Sequence, residues 1–161
     1  MDLKIAYIDY SINTRSLDIF TIGCNGCCHN CCNPEIKKWD IDGLSVNQAI
    51  LKLKSLYNDF KRAIDRFIIV GGDPCDAEII TKGQVSLLID CIKEFSNKPI
   101  FLFTRHELKD IPILLKEKCD YIKTGEYLEE LITENNIQYG IKLATSNQKI
   151  HKMGEYNDNF K

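Results

Sequence analysis

The chain has no uninterrupted apolar stretch approaching the ~20 residues that span a bilayer, so no membrane-crossing helix is expected. It also lacks charge of one dominant sign. With 21 Lys and Arg against 23 Asp and Glu, interspersed and summing to −2, there is no basic surface to track a phosphate backbone, and nucleic acid is not an expected partner. Residues 1–10 carry acidic and polar side chains where a secretory leader would have a basic start and an apolar run, which speaks against an oxidising compartment and a disulfide framework. No internal repeat, low-complexity segment or linker interrupts the 161 residues, a length that suits one domain spanning residues 1–161 with one core.

Against these absences stands one concentration. Five of the eight cysteines fall in Cys24-Asn25-Gly26-Cys27-Cys28-His29-Asn30-Cys31-Cys32. Such crowding of reactive thiols points to metal. Within the run only Cys24, Cys28 and Cys31 fit C-x3-C-x2-C, because the same template begun at Cys27 or Cys28 would need cysteine at Pro34 or Glu35. Thiolates are soft ligands suited to iron-sulfur clusters, and three of them leave one iron of a four-iron cluster without a protein ligand, a position open for chemistry. The competing arrangement is a structural zinc site built from the pairs Cys24/Cys27 and Cys28/Cys31. Its two halves abut, however, whereas zinc knuckles are normally separated by ~12 to 20 residues that let the chain wrap the ion. A thiol-rich site of this kind also suits a reducing cytoplasm.

Short apolar runs alternate with helical patterns, the order of a mostly parallel α/β sheet covered by helices. The runs predict strands at residues 18–23, 66–70, 99–104 and 120–123. Ser45 is a candidate N-cap for a helix carrying Val46, Ile50, Leu53, Leu56 or Tyr57, and Phe60 on one face. Val85, Leu88, Ile89, Ile92 and Phe95 mark a second helix, and residues 111–118 a shorter third. Residues 139–144 are a candidate strand, and residues 146–153 show no clear period. Ligands of parallel α/β sheets gather beyond the carboxyl ends of the strands. The cysteine loop, Gly71-Gly72-Asp73-Pro74, Thr104-Arg105-His106 and Gly125 all follow such ends, so they are expected on one rim.

The cysteine triplet followed by Gly71-Gly72-Asp73-Pro74 resembles the radical S-adenosylmethionine (SAM) superfamily, whose C-x3-C-x2-C motif holds a [4Fe-4S] cluster and precedes a GGEP-like strand end. Within it, the chain is similar to the anaerobic (class III) ribonucleotide reductase activating protein family. The shared features are Gly23-Cys24, Asn33 and Trp39 around the loop, a GGDP turn, Thr104 closing the next strand, and Gly125 with Ser146-Asn147-Gln148. The likeness covers residues 20–150. The departures are Asn30, before the third cysteine where the superfamily often carries an aromatic or small residue, Cys32, where that family carries an aromatic, and Thr104-Arg105-His106, where it has Thr-Gly-Tyr.

The resemblance implies a single-domain, partial and open radical SAM-type βα barrel, with Cys24, Cys28 and Cys31 as cluster ligands. It implies Asn33, Gly71, Gly72, Asp73, Pro74 and Thr104 as SAM-binding residues. The implied activity is reductive cleavage of SAM to place a glycyl radical on the large subunit of an anaerobic ribonucleotide reductase, with electrons from a flavodoxin or ferredoxin. Alternatives are another small radical SAM enzyme, of the pyruvate formate-lyase activase or deazaguanine synthase type, and a non-catalytic zinc or iron-sulfur module. Cys75, Cys91 and Cys119, each alone in a helix or helix start, are expected as packing residues. His29 is expected to be an exposed loop residue, His106 and His151 show no metal-site spacing, and Asp73 is expected to orient its turn.

Overall fold

The computed structural model describes residues 1–80 and 83–154. Its elements run in order β1 (Lys4–Ser11), β2 (Ser16–Thr21), β3 (Leu44–Ser45), α1 (Val46–Phe60), β4 (Arg66–Gly71), α2 (Ala77–Ile80), α3 (Gln84–Phe95), β5 (Ile100–Phe103), α4 (Ile113–Lys118), β6 (Tyr121–Thr124), β7 (Ile137–Gln138), β8 (Ile141–Lys142) and β9 (Lys149–Lys152). Seven strands form one sheet in the order β3-β1-β2-β4-β5-β6-β9. The four central strands β2, β4, β5 and β6 are parallel. Antiparallel strands flank them on both sides. The sheet does not close on itself: its edges are β3 and β9, so the mostly parallel α/β centre is present but a barrel is not.

The central order advances in one direction without reversal. Right-handed crossovers between successive parallel strands then put every connecting helix on the same face. The core follows this rule. Leu17, Ile19, Phe67, Ile69, Ile100, Leu102 and Ile122 alternate toward one face, where they meet Ala49 and Leu53 of α1, Leu88, Ile89 and Ile92 of α3, and Leu115 of α4. Burying one such side chain contributes about 1.5–3 kcal/mol. The opposite face carries a smaller cluster of Ile68 and Phe101 with Ile141, Leu143 and Ile150, covered by the chain after β6 rather than by a helix.

α1 begins with a reciprocal cap, Gln48 N–H donating to Ser45 Oγ at 3.3 Å and Ser45 N–H to Gln48 Oε1 at 2.9 Å. Pro112 stands at the N-cap of α4, so that helix starts at Ile113 rather than at residue 111. The expected strand at residues 139–144 is replaced by a hairpin. Tyr139 and Gly140 both have positive φ, 51° and 75°, as a two-residue turn between β7 and β8 requires. No described helix is long and apolar enough to cross a membrane.

Candidate metal centre

The parallel strands end in register, Phe20 beside Val70 and Thr21 beside Gly71, so the chain leaves β2 and β4 side by side. Backbone hydrogen bonds continue past the strands: Gly72 N–H donates to Thr21 O at 2.7 Å and Asp73 N–H to Gly23 O at 2.8 Å. A Cβ on Gly72 would lie 2.1 Å from Gly23 O, and one on Gly71 2.5 Å from Thr21 N. The glycine pair is therefore required by the backbone that delivers Cys24.

The loop after β2 is tied at several points. Gly23 N–H and Cys24 N–H donate to Ile36 O and Lys37 O at 2.8 and 2.9 Å. Asn25 N–H donates to Asp76 Oδ2 at 2.7 Å, and the Trp39 indole N–H to Asn25 Oδ1 at 2.9 Å. Gly23, at φ 96°, lies against the Trp39 ring, which a Cβ would enter at 2.1 Å. Asn30, at φ 54°, turns the chain before Cys31.

One cavity of about 330 Å³ gathers Cys24, Cys28 and Cys31 with Asn33, Gly71, Gly72, Asp73 and Thr104. The whole expected set meets there except Pro74, which is buried outside the lining. Cys32 also lines the cavity, whereas Cys27 is exposed outside it. The wall is Val70, Phe103 and Leu143, on the helix-free face, and Gln148 closes the far side. Gln148 Oε1 accepts from Ala144 N–H at 3.1 Å, and Asn147 Nδ2 donates to Glu126 O at 3.0 Å, which docks the Ser146-Asn147-Gln148 segment beside Gly125.

Asp73 is 2% exposed and makes three short contacts. Oδ1 accepts from Cys75 N–H at 3.0 Å and Thr104 Oγ–H at 2.7 Å, and Oδ2 from Arg105 N–H at 3.0 Å. Burial nonetheless pushes its carboxyl above the usual range. Its geometry is that of a turn organiser. Cys75 and Cys119 are buried, Cys91 is half-buried, and His29 is exposed near Glu129.

Asp76 and Lys123 were not among the expected site residues, and Arg105 was expected on the rim without the contacts it makes. Asp76, 1% exposed, accepts from Arg105 Nη2 at 2.6 Å and lies 2.7 Å from His106 Nε2. Lys123 lines the cavity, where burial lowers its ammonium to about 8, and its Nζ donates to Gly125 O at 2.9 Å. A lysine on the Tyr121 face of a short strand, opposite Ile122, was the one available sign. For Asp76 and Arg105 the sequence holds no periodic signal, because both act from turns.

The donor set fits an iron-sulfur group better than zinc. Among the described residues, the set of three or more His, Cys, Asp and Glu whose ligand atoms all lie within 4.8 Å of one another is Asp73, Asp76 and His106. At least one pair of the three motif sulfurs therefore stands more than 4.8 Å apart, wider than the ~3.8 Å set by four Zn–S bonds of ~2.3 Å in a tetrahedron. The Arg105 guanidinium lies between Asp73 and Asp76, where its charge takes the place of a cation, and His106 Nε2 meets Asp76 Oδ1 separately at 2.7 Å. Burial pushes the Cys24 thiol up, while the Gly26 N–H at 3.2 Å and the Arg105 donor act in the opposite direction.

No curated protein and no solved structure matches the chain. A family model, the 4Fe-4S single cluster domain, matches residues 14–151, from the turn before β2 into β9. That span contains the cysteine loop and every parallel strand behind it, and the chain belongs to the 4Fe-4S single cluster domain family.

Proposed function

We propose that the protein is a radical SAM activating enzyme that places a glycyl radical on an anaerobic ribonucleotide reductase. The observation that carries this reading is the meeting of Cys24, Cys28 and Cys31 with the Gly71-Gly72 turn and Thr104 around one cavity at the strand ends. Three thiolates would hold three irons and leave the fourth for the amino and carboxylate groups of SAM. When bound and reduced by a flavodoxin or ferredoxin, the cluster supplies the electron that breaks the sulfonium carbon–sulfur bond, giving methionine and a 5′-deoxyadenosyl radical.

The chain's own part is binding and exclusion. Lys37, Lys123 and Lys142 bring positive charge to the cavity, matched to a carboxylate and to an anionic cluster. Val70, Phe103 and Leu143 offer an apolar wall to the nucleoside. The sheet stays open, so a large partner is the natural cover for the radical, and a glycine Cα–H of that partner is the hydrogen donor that yields 5′-deoxyadenosine.

The test is anaerobic reconstitution followed by reduction with SAM and the cognate reductase. Expected are about four irons and four sulfides per chain, as the ligand count requires. The reductase should then show a doublet paramagnetic resonance signal that disappears when its target glycine becomes alanine. Stoichiometric zinc without labile sulfide would sink the reading. Selective turnover of a small molecule with no protein partner would instead favour the small-molecule type.

A further inference from the structure

We infer that Arg105 is a positioning residue for Cys24, a fixed cationic donor at the first motif sulfur that eases reduction of the cluster. This rests on the reading of Cys24 as a cluster ligand, and it is carried by the way the arginine is held. Arg105 follows the end of β5, with its N–H on Asp73 Oδ2 at 3.0 Å and its Nη2 on Asp76 Oδ1 at 2.6 Å. The other oxygen of Asp76 accepts from Asn25 N–H at 2.7 Å, the peptide immediately after Cys24. One buried carboxylate thus clamps both the guanidinium and the backbone next to the thiol.

Gly26 completes the device. A Cβ there would lie 2.8 Å from Arg105 Cδ, 2.9 Å from Nε and 3.2 Å from Cys24 Sγ, so the arginine stem and the sulfur close in on the same glycine. Arg105 Nε is buried and has no hydrogen-bond partner among the described residues; the nearby Asp73 Oδ2, at 3.6 Å, is too distant. A buried charged donor without an acceptor is rare. The edge of the site at Cys24 is where its acceptor would stand.

Hydrogen bonds and positive charge at cluster sulfurs favour the reduced, more negative state. Arg105 also offsets Asp73 and Asp76, whose charges act in the opposite sense. Removing it should therefore make the cluster harder to reduce.

The experiment compares reconstituted wild type, Arg105→Gln, Arg105→Lys and Gly26→Ala. The readouts are iron and sulfide content and the midpoint potential from a paramagnetic-resonance redox titration. Arg105→Gln should shift the one-electron equilibrium about tenfold against reduction, which is about 59 mV. Arg105→Lys, which keeps the charge but loses the Nε donor, should fall between it and wild type. Gly26→Ala keeps every charged group and presses hardest on the arginine stem, with Cys24 Sγ at a looser 3.2 Å, so it tests the geometry even where Arg105→Gln does not load. Full clusters with potentials within twofold of wild type, in equilibrium terms, in Arg105→Lys and Gly26→Ala would overturn the inference. Failure of the wild type to take up iron and sulfide would overturn the cluster reading beneath it.

Discussion

Gly72→Ala should be costly for a reason that has nothing to do with ligand access. The new Cβ would lie 2.1 Å from Gly23 O and 2.7 Å from Gly23 C, backbone atoms with no rotamer to yield, so β2 and β4 must part at their ends. Forced overpacking of this kind costs about 1–3 kcal/mol. Parting the strands also weakens the Gly72 N–H to Thr21 O and Asp73 N–H to Gly23 O bonds, at about 1 kcal/mol each. The total, about 3–5 kcal/mol, is a large share of an ordinary ~5–15 kcal/mol stability. Urea unfolding of the apo protein measures it. With a slope of about 2 kcal/mol per M, the midpoint should fall by roughly 1.5–2.5 M. Gly83→Ala is the contrast, since its Cβ meets nothing within 4 Å among the described residues and its cost there is conformational, at φ 65° about 1–2 kcal/mol. A Gly72→Ala midpoint equal to or above that of Gly83→Ala would refute the steric argument.

Alanine at Cys24, Cys28 or Cys31 should each abolish assembly of the four-iron cluster, whereas Cys27→Ala, exposed outside the cavity, should retain it. Iron and sulfide analysis decides, and loss of the cluster in Cys27→Ala would break the assigned frame. His151, half-buried and 2.9 Å from Thr124 Oγ1, has its imidazole held below the usual 6.5 by burial. The folded state then binds fewer protons than the unfolded one, so stability should fall as pH drops through 6.5 to the depressed folded value and then level off. His151→Asn should flatten that stretch of the stability curve, and an unchanged slope would show that another group is responsible.

The parallel strands were legible as short apolar runs, and their helices because the helical period was clean. Phe67 and Ile69 alternate with Ile68 and Val70, and Val46, Ile50 and Leu53 keep helical spacing. β1 was not, since a register shift between Ile5 and Tyr7 breaks the alternation. β9 has one buried apolar residue, Ile150, and is a strand because it pairs with the edge of β6. At the site, spacing alone isolated three of the cysteines. The Asp76, Arg105 and His106 contacts depend on how two turns, from β4 and β5, face each other across the sheet, and no local pattern encodes that.

The anchoring of the cysteine loop has a consequence for how the protein would mature. Ile36 O, Lys37 O, Asp76 and Trp39 fix the loop through ordinary protein contacts, none of which calls on a metal ion. Small zinc domains gain their fold from the ion, and for them chelation is denaturation. Here the core and these contacts are independent of any ion, so iron and sulfide should load onto an already folded chain. A chain stripped by oxygen should keep its sheet and be refillable, without a new round of synthesis, once anaerobic conditions return.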